Sequence, residues 1–468
     1  MNKANITKIQ CQIIDSNKIK IEGSVYLEQN QVGFNTIRAI LDPTAIDDQV
    51  RRNFIFPAQL HGTSELGEEI FISKFWRTSE GHHYHPKYTI EWTGSAEQIY
   101  IGVGLDEIVN KNQKISIQFA IPSSALSASS PHIDHSIGKL NIQETPQVNL
   151  TWENGDYKCS LYNLFIPDRK IGNSISAINV EKKSFVSVEF VNKNQTTFKQ
   201  AVFDAVDSFE EILPLLGFLG LRRLDWYELE AAVVLGKDRP RVLEISARKS
   251  LNLPTVTELY SDTDWLYVPI TKKALENKII DLLILNLKSH KNSKALVRAI
   301  EYLLSSYEEK YLFSKLVAAY TAFETLVADL SKTNKIDTTL HGKEYVELQE
   351  YIFSYLCTYI LNEEQRANIL QKIPELKRPP IKSTFKKLFN HQDYPLTRFM
   401  FNNSDWHLAM GQLISRRNTL VHAGEIKQEH YLDLHRLHLL LQIWVLKLLN
   451  CPDEYVNEYL ANSVRNLR

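Results

Sequence analysis

Cysteine is scarce and scattered. Cys11, Cys159, Cys357 and Cys451 are too few and too far apart to make a disulfide framework, and no CxxC pair is present to hold zinc. A reducing compartment is the expectation. Net charge is lacking as well: 54 Lys and Arg against 55 Asp and Glu leave −1. That excludes a chain that meets a polyanion with its whole surface and confines any nucleic-acid site to a local patch. Nor is there an apolar run of about 20 residues, the length that crosses a bilayer. The most apolar late stretch, Leu437 to Leu449, is shorter and is interrupted by Gln442 and Lys447. The opening MNKANITKIQCQIID lacks the apolar core of a secretory leader. A cytoplasmic protein with no membrane part is expected.

What is present is a globular composition, 44% apolar over 468 residues, too long for one compact core. Up to about residue 200, short segments such as KIKIEGSVYL, EEIFISKFW, YTIEW, KISIQFAI and SFVSVEFV alternate apolar with polar residues. A half-buried strand has this period because successive side chains point to opposite faces. FDAVDSFEEILPLLGFLGLRR follows as one predicted helix, and WYELEAAVVL and PRVLEISAR as further strands. Beyond Pro269 and Thr271 the pattern turns helical, with predicted helices over 294–330, 343–360, 363–373, 404–422 and 427–449 and a break at Pro379 and Pro380. The fold expected is α+β in two domains: a β-rich sandwich or barrel-like domain over 1–270 and an all-α bundle over 271–468.

The residues that suggest chemistry lie late in the chain. In SDWHLAMGQLISRRNTLVHAGE, Ser404 and Gly424 read as start and stop signals, so Arg417, Asn418 and His422 fall in the last turns of one helix. Asn418 and His422 are four apart and share a face, whereas Arg417 is about 140° from His422 at 100° per residue. A long arginine is therefore needed for both to converge on one phosphate. Guanidinium binds phosphate oxygens in pairs, and an imidazole titrating near neutrality can move a proton at a ribose 2′-hydroxyl or a leaving 5′-oxygen. Only RNA offers that attacking hydroxyl. Between Arg366 and Glu425 ten basic residues stand against four acidic ones, a local basic excess suited to a phosphate backbone. Lys382, Lys386 and Arg416 are the first candidates for RNA contact.

Arg417-Asn-Thr-Leu-Val-His422 resembles the RNxxxH form of the motif of HEPN ribonucleases, and Ala319-Tyr-Thr-Ala-Phe-Glu-Thr-Leu326 resembles the earlier helix of that family whose acidic residue points to the same site. The resemblance covers roughly residues 275 to 468. It implies a helical bundle acting as a homodimer, a catalytic set of Arg417, His422, Asn418 and Glu324 with Glu324 orienting Arg417 or His422, and a cut that needs no metal or other cofactor and leaves a 2′,3′-cyclic phosphate and a 5′-hydroxyl. A β-rich domain ahead of such a bundle is similar to the ApeA-type abortive-infection proteins of bacterial antiphage defence. Phe56-PAQLHGTSELGEEIFIS resembles their pattern of an extended stretch, a glycine-bearing turn, a second glycine and another strand. That likeness implies RNA, with tRNA among the candidates, as substrate, and a phage-derived trigger sensed by the first domain. Gly424 stands where another HEPN group carries a tyrosine two residues after the histidine, so regulation through that tyrosine is not implied.

Competing readings remain. The same Arg and His could serve a non-catalytic HEPN module that binds nucleotide or RNA or mediates dimerisation, beside a β-sandwich that binds a partner or ligand. They could equally cap a helix C-terminus, where cations are favoured by about 0.3 to 1 kcal/mol. His82, His83 and His85 in GHHYH could bind a transition metal, but they lack accompanying carboxylates or thiols at ligand spacing and read as an exposed hairpin loop. Glu228 and Glu230 read as a polar sheet face. His407, His435 and His438 read as neutral histidines on a helix surface or interface.

Overall fold

The computed structural model describes residues 7–29, 35–41, 54–64, 67–84, 88–122, 133–134, 141–142, 147–167, 180–236, 240–249, 278–334, 342–358, 362–373, 383–384, 387–388, 406–423 and 426–465. At several element ends, 406–410, 421–423 and 461–465 among them, only the backbone course is described. The chain forms two compact units that divide between residues 264 and 282, with the excursion Gly217–Arg223 grouped with the second. The sequence placed one cut at 270.

The first unit is built around a closed barrel of six antiparallel strands: β1 (Thr7–Ile14), β2 (Lys20–Gln29), β3 (Asn35–Leu41), β4 (Ala58–Ser64), β5 (Glu69–His83) and β6 (Thr89–Val103). The ring runs β6-β3-β2-β1-β4-β5 and closes because β5 returns to pair with β6. Of the sandwich and barrel-like alternatives, the barrel is the one formed here. Its interior holds Ile13, Val25, Ile37, Leu60, Phe75 and Trp92, the inward half of the alternation visible in the sequence. Gly62 lies inside β4 rather than in a turn: a Cβ there would meet the carbonyl oxygen of Gln10 at 2.2 Å, so β1 can approach only a glycine. Gly67, at φ +80°, supplies the turn into β5.

Strand β6 is shared by the barrel and by an open extension of the same sheet. One edge pairs with β5 along its length, while the other pairs with β3 from Ile90 to Ser95 and then with a later strand from Gln98 to Val103. Burial alternates from Ile90 to Ala96 and slips by one near Glu97 and Gln98, where the partner changes. The same slip occurs opposite, at Lys74, whose φ is +46° and whose Nζ pairs with Glu97 at 2.7 Å.

A short β7 (Ile108–Val109) leads to β8 (Lys114–Ile121), a small β9–β10 pair (Ile133–Asp134, Asn141–Ile142), β11 (Gln147–Asn154), β12 (Tyr157–Pro167), β13 (Val180–Val191) and β14 (Thr196–Thr197), which pairs with β7. β8, β11, β12 and β13 with β15 (Glu228–Leu235) and β16 (Arg241–Lys249) make an open extension in the order β6-β16-β15-β8-β13-β12-β11, and β9–β10 and β7–β14 are separate two-stranded pairs. Glu228 and Glu230 are on the exposed face of β15, as read from the sequence. The single helix expected after residue 200 is two: α1 (Phe198–Glu210), capped by the Thr197 hydroxyl, and α2 (Leu213–Leu219). Phe209 of α1 stacks on Phe119 of β8 at 4.4 Å, and Phe203 packs on Phe71 and Tyr100 outside the barrel at 5.4 and 4.7 Å.

The second unit is helical. Its elements are α3 (Ile279–Ser289), α4 (Ser293–Glu308), α5 (Leu312–Thr333), α6 (Gly342–Thr358), α7 (Glu363–Lys372), α8 (Trp406–Ala423), α9 (Glu429–Leu448) and α10 (Asp453–Arg465). The span 294–330 is thus two helices, broken where Glu309 turns extended at φ −61°, ψ 140°. α5 packs against α4, α8 and α9, and its Phe323 meets Trp444 of α9 at 6.1 Å. Leu413, Leu420, Leu434, Leu437, Leu440, Leu441 and Trp444 are buried, the core role that their helical spacing predicts. Of the surface and interface alternatives for His438, the structure shows a buried helix–helix contact, its ring 4.1 Å from that of Tyr307. The Ser306 hydroxyl donates its one hydrogen to Leu303 C=O at 2.7 Å, so the 2.6 Å contact with His438 must be Nε2–H donating to Ser306 Oγ. No helix among the described residues is long and apolar enough to cross a membrane.

Candidate active site

Two contacts fix α8 against α5. The Tyr320 hydroxyl donates to the carbonyl of Leu413 at 3.0 Å, and one turn further along both helices Arg417 Nη2 lies 2.7 Å from Glu324 Oε1. Both steps are four residues and advance in the same sense, so the helices run side by side in parallel here. Tyr320 is buried, and that burial, with Asp433 nearby, pushes its phenol well above the ordinary value. It remains a neutral donor.

Arg417 is the centre of the cluster. Its Nη1 donates to Asn418 Oδ1 at 3.1 Å, while Nε is buried without an acceptor among the described residues. A guanidinium carries five N–H donors. Glu324 and Asn418 use one hydrogen on each Nη, which leaves a second on each. Paired guanidinium donors are what a phosphate takes up in a bidentate contact. The Arg417 and Glu324 side chains are 28% and 36% exposed, so the pair is accessible, and at such exposure an ion pair adds about 1 kcal/mol or less to stability. The pairing is better suited to aiming the guanidinium than to holding the helices together.

Arg416 points elsewhere. Its Nε and Nη2 donate to Asp433 Oδ2 and Oδ1 of α9, both at 2.5 Å, and Asp433 is fully buried. Those hydrogen bonds raise the Arg416 pKa above its ordinary value, while burial lowers that of the neighbouring Arg436. Arg416, proposed from sequence to touch RNA, therefore has two donors of its fork engaged within the protein. Asp433 went unassigned in the sequence, although a signal exists: it precedes Leu437, Leu440 and Trp444 on the buried stripe of α9, and a carboxylate there must be paired.

The structure thus brings together Arg417, Asn418 and Glu324, and joins Arg416 to Asp433 in the same three-helix neighbourhood. His422 is in the last turn of α8, but its side chain is outside the described residues, as are Lys382, Lys386, Ser404, Gly424 and the side chain of His407. On the β5–β6 hairpin, His82 and His83 turn to different carboxylates, Glu80 at 3.3 Å and Glu91 at 2.9 Å, and His82 also contacts the Tyr88 hydroxyl at 3.0 Å. These two rings do not converge, and His85 is outside the described residues. Comparison with protein-family models, curated proteins and solved structures finds no match to this chain in any of the three.

Proposed function

We propose that the helical unit is a metal-independent endoribonuclease of the HEPN type, serving bacterial antiphage defence in the manner of ApeA-like proteins, with the β-rich unit sensing a phage-derived trigger. The observation that carries the reading is the Glu324–Arg417 contact. A carboxylate from α5 aims the motif arginine while leaving one hydrogen on each terminal nitrogen for a phosphate. Arg417 then binds the scissile phosphate and offsets the charge that accumulates there. His422 takes the 2′-hydroxyl proton or supplies one to the 5′-oxygen, Asn418 fixes the second edge of the guanidinium, and attack by the 2′-oxygen expels the 5′-oxygen to leave a cyclic phosphate. A homodimer through the helical unit would set two such motifs across one cleft.

The test is incubation of the purified chain with total RNA and mapping of fragment ends. Cyclic phosphate and 5′-hydroxyl ends that persist in chelator and vanish in Arg417→Ala and His422→Ala support the reading, provided circular dichroism and dimer mass are unchanged. The Arg417–Glu324 contact would serve equally in the rival, a non-catalytic module that binds nucleotide or RNA. RNA retained without product would decide for it.

A further inference from the structure

Away from the helical unit, three potential metal ligands meet outside the barrel. His61 of β4, Glu69 of β5 and Asp106, just after β6, place one ligand atom each within 4.8 Å of one another. The register explains the first two. Thr63 pairs with Glu69 and His61 with Phe71, so His61 and Glu69 are diagonal neighbours on the outward face of the β4–β5 ladder. Glu69 in turn faces Gly102 across the β5–β6 ladder.

Asp106 arrives by a tight return of the chain. A Cβ on Gly102 would lie 2.5 Å from the Leu105 side chain and 2.4 Å from the Glu244 carbonyl, so only glycine lets the following turn fold back there. Gly104, at φ +70°, makes that turn, and the Leu105 N–H donates to Glu69 Oε1 at 3.2 Å. Two glycines and one backbone hydrogen bond thereby hold a second carboxylate beside Glu69 and the imidazole. The nearest partner of Asp106 is Lys199 of α1, at a long 3.5 Å with its ammonium 5.4 Å from the Phe71 ring, a contact that a doubly charged ion would outcompete.

We propose that His61, Glu69 and Asp106 bind a divalent transition-metal ion of the zinc type. Imidazole nitrogen with two carboxylate oxygens is the donor set such ions take, and three protein ligands leave the remaining position to water. Ligands of tetrahedral zinc stand about 3.4 Å apart. Rotation of the carboxylates, of which Asp106 is exposed, closes the present separation. The ion would pin the start of β5 to the turn that follows β6. This proposal does not depend on the ribonuclease reading, in which no metal takes part.

The test uses the full chain, stripped with chelator and titrated with Zn2+ alone in a calorimeter, alongside thermal melting with and without Zn2+. One bound equivalent and a raised melting temperature are expected. Asp106→Asn, nearly isosteric and exposed, and His61→Ala should each weaken binding about tenfold or more, whereas His82→Ala on the hairpin should not. Absence of binding to the wild-type chain, binding unchanged in Asp106→Asn, or loss in His82→Ala would overturn the site. Cleavage of RNA is read separately and is expected to be indifferent to the same variants.

Discussion

Replacing Arg416 by Met removes the only ion-pair partner described for a fully buried carboxylate, and the cost can be worked from the geometry. Asp433 is 0% exposed and accepts two hydrogen bonds from Arg416, which is itself 27% exposed. Deleting one partner of a buried pair costs about 3 to 5 kcal/mol, because the remaining charge has neither water nor a counterion. The lower end applies, since Arg436 is half-buried on the next turn of α9 and already feels Asp433, and since the carboxyl can take up a proton. About 3 kcal/mol in a unit of this size lowers the melting temperature by roughly 6 to 12 °C. Thermal unfolding followed by circular dichroism at 222 nm, a wavelength weighted to the helical unit, reads this out. Combining Arg416→Met with Asp433→Leu removes both charges and should recover most of the loss, as apolar replacements of buried pairs commonly do. A single-variant loss below about 1 kcal/mol, or a double variant as unstable as the single one, would refute the argument. The recovered double variant also separates two roles: if the pair is purely architectural it cleaves RNA normally, and if Arg416 holds RNA its KM rises.

Glu324→Gln keeps a hydrogen-bond acceptor beside Arg417 but removes the charge. It should slow RNA cleavage about tenfold, equivalent to about 1.4 kcal/mol, while stability shifts by less than about 1 kcal/mol; single-turnover kinetics and chemical denaturation check the two halves. His438 gives a pH signature. Burial depresses its folded-state pKa to about 3 from an ordinary 6.5, so the neutral ring's contribution is complete above pH 6.5 and is lost as pH falls toward 3. At pH 5 the loss is about 2 kcal/mol. Denaturation curves at pH 7 and pH 5 should show that difference in the wild type, and a much smaller one in His438→Gln.

Much of the fold was legible because its signals are local. The alternation of KISIQFAI became β8 with Ile115, Ile117 and Phe119 buried, and the helical periods of the last third became α8 and α9 nearly to the residue. Barrel closure was not legible, because it depends on β5 and β6 pairing along one edge while β3 and β16 divide the other, and no short stretch encodes that choice. The break between α4 and α5 was hidden for a related reason: Glu309, Lys310 and Tyr311 include neither glycine nor proline, and the turn follows from packing α5 back on α4. At the candidate site, Arg417, Asn418 and Glu324 were found through a motif. The Arg416–Asp433 pair was missed because the segment from 366 to 425 invited a reading by net charge, whereas the partner lies beyond it on α9.

The strand shared by barrel and open sheet has a consequence for how the first unit comes apart. Thr89–Val103 contributes backbone hydrogen bonds to both, to β5 along one edge and to β3 and β16 on successive stretches of the other. Amides in that stretch should be the last of the unit to exchange with deuterium, and should do so as a single cooperative block. Losing that one strand would open the ring and cut the remaining strands off from it in the same event.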